Sequence, residues 1–319
     1  MNSNNNPLIY IIVLTFNGEI WVENCLNSLL RTSYPYIKIL VIDNASQDST
    51  IDIIKKNFPI VELHINDYNT GFAVGMNQGI DYALKGGADY VFLVNQDTVM
   101  DRFCVQRLVD VALADDNIGI IVPVQFEYGT DQLQKTFARW LALNVGVSNL
   151  NSLWSLRKKF FVIPEILGAA MMISRKSIEL AGSFDPYFFA YFEETDLCRR
   201  LRLHGMFSVL CPWAYFWHAD DLPGKSKELI MMRSHLLYTL KDPFSKALTR
   251  WSKSFLILLN NIMRYSLTGR FDMLLDAIKV SFSLFLDVGK INKRRELETI
   301  NCKLFYNCKN FTDSANKCA

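Results

Sequence analysis

The sequence predicts an α/β protein with a mostly parallel, doubly wound sheet and a helical C-terminal extension. Apolar runs of strand length recur along the first 125 residues, and segments long enough to form helices separate them. The runs are continuous rather than alternating, which is typical of parallel strands buried on both faces. They occupy residues 8–14, 37–42, 60–65, 90–94 and 118–124. The crossover helices predicted between and around them occupy residues 19–31, 46–57, 72–86 and 101–115.

The C-terminal part of the chain differs from the rest in charge. Residues 1–221 contain 17 Lys and Arg against 24 Asp and Glu, whereas residues 222–319 contain 17 against 8. Apolar residues at helical spacing predict helices over residues 228–240, 246–267 and 270–288 in this basic region. Their apolar faces include Leu256, Leu259, Met263, Leu274, Ile278, Phe282 and Phe285.

Two interpretations of these apolar faces remain open. They could pack against the rest of the chain or a second subunit, or they could lie on an anionic membrane surface. Polar residues interrupt the apolar runs well before the ~18–20 residues that a spanning helix needs. The sequence therefore predicts contact with a membrane at most, without a crossing.

Composition excludes several classes of protein. Half of the 319 residues are hydrophobic and 21% are charged, which excludes an intrinsically disordered chain and a collagen-like chain. The seven cysteines are odd in number and never form CxxC, so neither a disulfide framework nor a zinc cluster is indicated. The N-terminal residues lack the pattern of a signal peptide, and we expect a cytoplasmic protein.

Polar residues follow three of the predicted strands. Ligands of doubly wound sheets bind outside the carboxyl ends of the strands, so these residues are candidates for a binding site. The first strand ends in Thr15-Phe16-Asn17-Gly18, the second in Asp43-Asn44-Ala45-Ser46 and the fourth in Asn95-Gln96-Asp97-Thr98. Neither a Gly-x-Gly-x-x-Gly motif after the first strand nor a P-loop motif occurs, which counts against a nicotinamide dinucleotide site and a phosphate-binding loop.

Four segments carry a family resemblance. VLTFNG, VIDNASQDST, NTGFAVGMNQGI and FLVNQDTVM, in this order and spacing, resemble the inverting nucleotide-sugar glycosyltransferases of family 2, which have the GT-A fold. The likeness covers roughly residues 8–221. The Asn-Gln-Asp-Thr form is most similar to bacterial rhamnosyltransferases that build O-antigen, capsule or other surface polysaccharides.

The resemblance implies a division of the chain into three parts. Residues 1–125 would form the nucleotide-sugar-binding half of the GT-A domain, and residues 126–221 would form its acceptor-binding and catalytic half. Residues 222–319 would form the basic, amphipathic helical extension. The acidic balance of the first two parts gives no support to nucleic-acid binding.

A divalent cation, Mn²⁺ or Mg²⁺, is the cofactor that the resemblance implies, because it neutralises the leaving diphosphate. Asp97 would bind it, although Asn95 replaces the first acid of the family's Asp-x-Asp motif. Family members often place a metal-binding histidine where His218 stands, and its imidazole would replace the missing carboxylate. As alternatives, Asp97 could simply cap the following helix, and His218 could be a structural histidine beside an aromatic strand.

The resemblance also implies a nucleotide-sugar site. Asp43 would accept hydrogen bonds from the base or ribose, while a local Asx turn is the competing interpretation of this residue. The small residues after Gly71 begin a helix whose N–H groups could face a diphosphate, or could serve only close packing. The residues assigned to the nucleotide sugar are Thr15, Asn17, Asp43, Gly71, Asn77, Asn95, Gln96 and Asp97.

A cluster of acids begins the helix predicted over residues 194–204. A carboxylate kept ionised by the helix dipole can take the proton from an acceptor hydroxyl, as an inverting displacement requires. Glu193, Glu194 and Asp196 resemble the family's Glu-Asp-x-Asp pattern, with Glu194 at the position of the usual base. Glu193 or Asp196 could instead bind acceptor hydroxyls, and all three could merely complement the dipole or pair with arginines. The residues assigned to the acceptor are Gly168, Ala169, Tyr191 and Glu193.

The resemblance implies inverting transfer of a sugar, possibly from dTDP-L-rhamnose, to a growing glycan. A lipid-linked acceptor, such as a polyprenyl-diphosphate-linked glycan, would place the protein peripherally at the inner face of the cell membrane. The C-terminal helices could contact that membrane or form a homodimer. A non-catalytic nucleotide-sugar or carbohydrate-binding protein on the same scaffold is the alternative, because Asn95 and Glu194 stand where family acids are expected. A nucleotidyltransferase is a weaker alternative, because no glycine-rich basic loop follows the first strand.

Overall fold

The computed structural model describes residues 6–219 and 225–300. These residues form nine strands and twelve helices. The strands are β1 (Ile9–Thr15), β2 (Ile37–Asp43), β3 (Glu62–Ile65), β4 (Tyr90–Asn95), β5 (Thr98–Met100), β6 (Ile118–Glu127), β7 (Phe161–Ile163), β8 (Ala170–Ser174) and β9 (Phe207–His218). The helices of the sheet region are α1 (Val22–Leu30), α2 (Thr50–Asn57), α3 (Phe72–Lys85), α4 (Cys104–Ala112), α5 (Lys135–Val145), α6 (Leu150–Ser155), α7 (Arg175–Ala181) and α8 (Glu193–Leu203). The extension contains α9 (Lys225–Leu240), α10 (Ala247–Leu267), α11 (Phe271–Leu286) and α12 (Val288–Ile300).

One mixed sheet forms the centre of the molecule. Its strand order is β3-β2-β1-β4-β8-β6-β9-β5, and β7 also pairs with β9. The first four strands in this order from the β3 edge are parallel, as predicted, because a crossover helix follows each of β1, β2 and β3. β8 runs antiparallel to both β4 and β6, and β5 and β7 run antiparallel to β9. The run of adjacent parallel strands from the β3 edge thus ends at β4, whose last residue is Asn95, and β6 and β9 form a second parallel pair.

Both faces of the sheet are covered, which explains the continuous apolar runs. In β1, Ile11 and Val13 belong to the core on one face, while Tyr10 and Ile12 belong to the core on the other. All four side chains are at most 2% exposed. A strand buried on both sides needs an apolar residue at every position rather than at alternate positions.

Buried charges fasten the helical extension to the sheet region. The Lys241 ammonium, just after α9, lies 2.5 Å from Asp185 Oδ2 and 3.2 Å from Asp196 Oδ1. Arg294 of α12 also pairs with Asp185. Lys241 and both carboxylates are fully buried, so each charge depends on the others for compensation. The extension, described here to residue 300, is therefore built into the molecule rather than attached as a separate tail.

Replacing Lys241 by Met should lower the free energy of unfolding by about 3–5 kcal/mol, because it leaves buried carboxylates with less compensation. Equilibrium urea unfolding measures this difference. Lys85→Met is the matched control, since Lys85 pairs with Asp81 on the surface and is 73% exposed. A loss no larger than that of the control would contradict the importance of the buried charges.

No helix in the ranges 6–219 and 225–300 is long and apolar enough to cross a membrane. The apolar residues predicted to form faces of α10 and α11 are mostly exposed. Leu256, Phe282 and Phe285 are each about 60% exposed. Packing of these faces against the sheet region, one of the two interpretations of the sequence, is not what the structure shows. The last cysteines and the rest of the tail, residues 301–319, lie outside the described residues.

Candidate functional site

A cavity of about 670 Å³ opens beside the carboxyl end of β4. It brings together predicted residues from the ends of β4 and β9, the loop before β8 and the first turn of α8. The predicted residues that line it are Asn95, Asp97, Gly168, Ala169, Tyr191, Glu193, Glu194 and His218. The candidate metal ligands and two of the three candidate catalytic acids therefore share one cavity.

Strand pairing places Asp97 beside His218. β5 pairs antiparallel with β9, with Thr98 opposite His218, and the Ala219 N–H donates to the Asp97 carbonyl at 3.0 Å. The His218 Nε2 atom lies 3.2 Å from Asp97 Oδ1. On the other side of the ring, Gln125 Nε2 lies 2.8 Å from His218 Nδ1. The imidazole is thus held between an amide and a carboxylate at the cavity wall.

The donor atoms around this pair fit a divalent cation. Asp97 and His218 provide a carboxylate and an imidazole, and the Asn95 Oδ1 atom is buried without a hydrogen-bond partner among the described residues. Mn²⁺ accepts both oxygen and imidazole nitrogen ligands. Residues 6–219 and 225–300 contain no cluster of three or more His, Cys, Asp and Glu suited to a metal. A cation here would therefore take further ligands from outside that set, such as Asn95 or diphosphate oxygens.

Gln125 can serve either tautomer of His218. With the amide nitrogen placed against Nδ1, as in the structure, the amide can donate to Nδ1 of a neutral ring whose proton is on Nε2, on the side of Asp97. A cation at Nε2 requires the proton on Nδ1 instead. Turning the amide over would let its oxygen accept that proton, because a glutamine carries both a donor and an acceptor.

Glu193 and Glu194 form a coupled pair at the start of α8. Burial, followed by the neighbouring Glu194 carboxylate, raises the pKa of Glu193 well above its usual range. Burial also raises the pKa of Glu194, but a hydrogen bond from Glu193 opposes that rise. Burial thus favours the protonated form of both carboxyls, and the pair gains a negative charge less readily than two exposed glutamates would. The expectation that the helix dipole keeps these acids readily ionised is wrong, because desolvation is the largest effect on both.

The segment before α8 holds an unusual backbone conformation at the cavity wall. Tyr191 and Phe192 both lie in the left-handed region, with φ of 66° and 67°. Such residues cost about 1–3 kcal/mol each and cluster at functional sites. Gly168 faces the same turn: a Cβ there would lie 3.3 Å from the Glu194 Cδ atom. Because Gly168 has no side chain, the Glu194 carboxyl has room to occupy its observed position.

Asp196 does not join the other two acids. Its side chain is fully buried, and its carboxylate lies 2.5 Å from Arg199 Nη2 and 3.0 Å from Arg200 Nε. Burial alone would raise the pKa of Asp196, but the attraction of Lys241, Arg199 and Arg200 holds it well below its usual range. The candidate catalytic role of Asp196 is corrected accordingly: it is a buried ion-pair residue that pairs with arginines, as one of the sequence interpretations had it.

Asp43 and Thr15 are also fully buried. Asp43 accepts hydrogen bonds from Thr15 Oγ1 at 2.7 Å and from the Ser46 N–H at 2.8 Å, which is the Asx-turn interpretation of this segment. Asn17 Oδ1 accepts a hydrogen bond from the Gln47 N–H at 2.9 Å. These contacts tie the loops after β1 and β2 together. The nucleotide role of all three residues stays a prediction.

Gln96 and Asn77 use their amides to hold the main chain. Gln96 accepts from the Phe16 N–H at 2.9 Å and donates to the Phe16 carbonyl at 3.0 Å. Asn77 does the same with Phe184, at 3.0 Å and 2.8 Å, and is only 3% exposed. Neither side chain lines the cavity. Both amides thus have a structural role here, and their assignment to the nucleotide sugar stays a prediction.

Gly71 serves close packing at the start of α3. Its φ is 82°, and a Cβ there would lie 2.6 Å from Phe189 Cδ2. The Phe72 N–H, at the start of the helix, donates to the Phe189 carbonyl at 2.7 Å. The start of α3 therefore packs against the loop before α8. This contact agrees with the second interpretation of Gly71, in which the glycine allows close packing.

Several residues of the cavity wall were not predicted. They come from β6, from α5 and the residues before it, from the loop after β7 and from α9: Gln125, Gln134, Thr136, Trp140, Glu165, Lys227 and Met231. No local motif marks them. Lys227 and Met231 belong to the helical extension, so the extension forms part of the site.

Comparison with known proteins adds an independent line of support. The model of the family described as glycosyl transferase family 2 matches residues 10–180. Over 140 residues the chain is 27% identical to the SPbeta prophage-derived glycosyltransferase SunS of Bacillus subtilis (strain 168), a match that covers 43% of this chain and 32% of SunS. The chain thus spans about a third of the length of that relative.

Two rhamnosyltransferases match over longer regions. The chain is 25% identical to the dTDP-rhamnosyl transferase RfbF of Shigella flexneri over 231 residues, 69% of this chain and 70% of RfbF. It is 22% identical to the N-acetylglucosaminyl-diphospho-decaprenol L-rhamnosyltransferase of Mycobacterium tuberculosis (strain ATCC 25618 / H37Rv) over 229 residues, 65% of this chain and 75% of that relative.

A solved structure supports the fold. The mannosyltransferase PcManGT from Pyrobaculum calidifontis, in complex with GDP-Man and Mn²⁺, has a TM-score of 0.56 to this chain at 15% identity. The match covers 94% of this chain and 85% of PcManGT. The predicted GT-A fold is confirmed.

Proposed function

Because this chain belongs to glycosyl transferase family 2, we propose that it transfers a sugar from a nucleoside diphosphate sugar to a glycan acceptor with inversion at the anomeric carbon. One observation carries the proposal: the Asp97–His218 pair and the Glu193–Glu194 pair line the same cavity. The names of RfbF and the Mycobacterium relative support a rhamnosyl donor, possibly dTDP-L-rhamnose, and the second name supports a lipid-linked acceptor. An enzyme that acts on such an acceptor would work peripherally at the inner face of the membrane, in surface polysaccharide synthesis such as that of O-antigen or capsule.

Asp97 and His218, with Asn95 beside them, would hold the divalent cation. When bound, the cation supplies positive charge that neutralises the leaving diphosphate. Gln125 orients the His218 ring, and this kind of outer contact fixes which nitrogen is available as a ligand.

Glu194 acts as the general base. It takes the proton of the attacking acceptor hydroxyl as the acceptor oxygen bonds to the anomeric carbon and the bond from that carbon to the diphosphate oxygen breaks. We assign the proton of the pair to Glu193, whose pKa is raised well above its usual range, so that its carboxyl can donate to Glu194 and favour the ionised form of that base. A raised pKa makes Glu194 a stronger base than an ordinary glutamate once it is ionised.

The transfer rate should rise with pH through an apparent pKa above the ~4.3 of an ordinary glutamate, because the base works only when deprotonated and its pKa is raised. Initial rates between about pH 4 and pH 8 at saturating donor and cation measure this limb. A profile that stays flat down to the ordinary value would contradict the role of a buried carboxylate base.

A panel of nucleoside diphosphate sugars tests the donor class. One donor should raise the melting temperature in the presence of Mn²⁺ or Mg²⁺ and much less in the presence of EDTA, since a ligand that binds the folded state more tightly stabilises it more at the same concentration. We expect dTDP-L-rhamnose to give the largest shift. If no nucleotide sugar stabilises the protein with either ion, the proposal fails.

A further inference from the structure

Helices α10 and α11 expose one continuous apolar surface. The residues that form it, called here the hairpin face, recur every three or four positions apart from the adjacent Phe285 and Leu286, as one side of a helix requires. They are Leu248, Trp251, Phe255, Leu259, Met263 and Leu267 of α10, and Phe271, Leu275, Ile278, Phe282, Phe285 and Leu286 of α11, and their exposed fractions run from 37% to 88%. The Trp251 and Phe285 rings lie edge to face with centroids 6.3 Å apart, so the two stripes adjoin.

The hairpin packs on the protein through its opposite side. Tyr265, Met273, Ala277 and Leu284 are at most 2% exposed and belong to the core that includes α9. Twelve large apolar side chains on two adjoining helices are thus left on the outside. A surface of this kind marks an interaction site, because soluble monomers rarely expose contiguous apolar patches beyond a few hundred Å².

Charge identifies the partner that the hairpin face fits. Residues 246–300 contain ten Lys and Arg against five Asp and Glu, and three of the ten, Arg264, Arg270 and Arg294, pair with carboxylates outside this range. Lys246 and Lys253 are exposed and have no ion-pair partner within the part of the chain that the structure describes. A second copy on this face would bring two basic surfaces together, whereas anionic headgroups would match them.

We propose that the hairpin face lies in the headgroup region of an anionic bilayer, with α10 and α11 parallel to the membrane plane. The proposal rests on the proposed function, since it identifies the surface through which the enzyme reaches a lipid-linked acceptor. Interfacial helices of this kind combine a large apolar face with basic residues and bury that face at the boundary of the acyl chains.

The attachment of the hairpin links the bilayer to the cavity. Arg264 near the end of α10 and Arg270 just before α11 bind the Glu228 carboxylate of α9 at 2.8 Å and 2.9 Å. The neighbouring Lys227 and, one turn further on, Met231 line the cavity. The turn of the hairpin is therefore fastened to the same stretch of helix that forms the cavity wall, so docking would hold the cavity at the membrane.

Vesicle co-sedimentation tests the proposal. We expect the full-length protein to bind vesicles of phosphatidylglycerol and phosphatidylcholine at low salt, and to bind less at high salt or to phosphatidylcholine alone. The double variant Phe255→Ser, Phe282→Ser should bind at least about tenfold more weakly, because both rings are more than 60% exposed and would insert. The matched control is Ile60→Ser, Leu143→Ser, which changes two side chains that are 80% exposed on other surfaces and should leave binding unchanged.

Trp251 gives a direct readout of insertion. Brominated lipids should quench part of the tryptophan fluorescence of the wild-type protein, and Trp251→Phe should remove most of that quenching. Deleting residues 246–319 is not a suitable test, because Arg294 pairs with the buried Asp185.

Three results would overturn the proposal: no binding to either vesicle, equal binding by the wild type and the Phe255, Phe282 variant, or a dimer that the variant disrupts without any vesicle binding. Failure of the proposed function is a separate outcome. Stabilisation by the donor and Mn²⁺ should be the same in the wild type and the variant, because neither ring lines the cavity.

Discussion

Glu194→Gln should lower the rate of sugar transfer about 10²- to 10⁴-fold, the usual loss on removing a general base. The variant keeps the size and hydrogen bonding of the side chain but removes its basicity. Donor affinity should survive, because Glu194 meets the acceptor hydroxyl rather than the nucleotide. Single-turnover rates at saturating donor, together with donor binding by calorimetry, separate the two effects.

The neighbouring acids provide controls for Glu194. Glu193→Gln keeps a hydrogen-bond donor beside Glu194 and should retain most of the rate, because Glu193 acts as the protonated partner. Asp196→Asn should act mainly on stability, since its carboxylate compensates Arg199 and Arg200 in the interior. If Glu193→Gln loses as much rate as Glu194→Gln while binding the donor normally, the base is assigned to the wrong member of the pair.

Asp97→Ala should abolish transfer and weaken cation-dependent donor binding. Among the residues that the structure describes, its carboxylate is the one that pairs with the His218 imidazole, so its removal takes away an anionic ligand of the cation. The fold should survive, because Asp97 is a partly exposed residue at the end of a strand. Donor affinity measured with Mn²⁺ and with EDTA gives the effect.

Two variants accompany this measurement. His218→Ala should raise the Mn²⁺ concentration needed for half-maximal rate more than it affects cation-independent nucleotide binding. Asp101→Ala is the matched control, because Asp101 pairs with Arg107 at 3.1 Å and lies outside the cavity. Wild-type turnover by Asp97→Ala, or an unchanged cation requirement in His218→Ala, would remove the pair from the site.

Part of the candidate site could be predicted because its residues follow the carboxyl ends of strands. The apolar runs locate β1, β2 and β4, and parallel strands present their carboxyl ends at one edge, so the polar residues after them were candidates. Asp97 and Glu194 come from distant segments, and the family resemblance predicted that they belong to one site. The structure brings them to one cavity.

Sequence patterns did not show which polar residues would be used to build the protein. Asp196 and Asn77 are residue types that commonly bind sugars. In the structure, however, Asp196 forms ion pairs and Asn77 hydrogen-bonds the main chain. The type of a residue indicates which groups its side chain can bind, but its position in the fold determines which groups lie within reach. For the same reason Glu165 and Trp140, which lack a motif, became visible as wall residues only in three dimensions.

The helical extension shows a second limit. Helical spacing located α10 and α11 and the stripe that they share, but a stripe looks the same whether it packs on protein or lies on lipid. The structure shows that the stripe does not pack on the rest of the described chain. The opposite side of the two helices, with Tyr265 and Met273, makes the contact with the core that includes α9.

The anomeric configuration of the product tests the central claim most directly, namely a single displacement with Glu194 as base in this cavity. Proton NMR of the first product formed from the donor of defined anomer, before a second transfer, gives the configuration of the new glycosidic bond. We predict the anomer opposite to that of the donor. A product with retained configuration would contradict the mechanism, because retention requires either a covalent intermediate or attack on the same face as the leaving diphosphate.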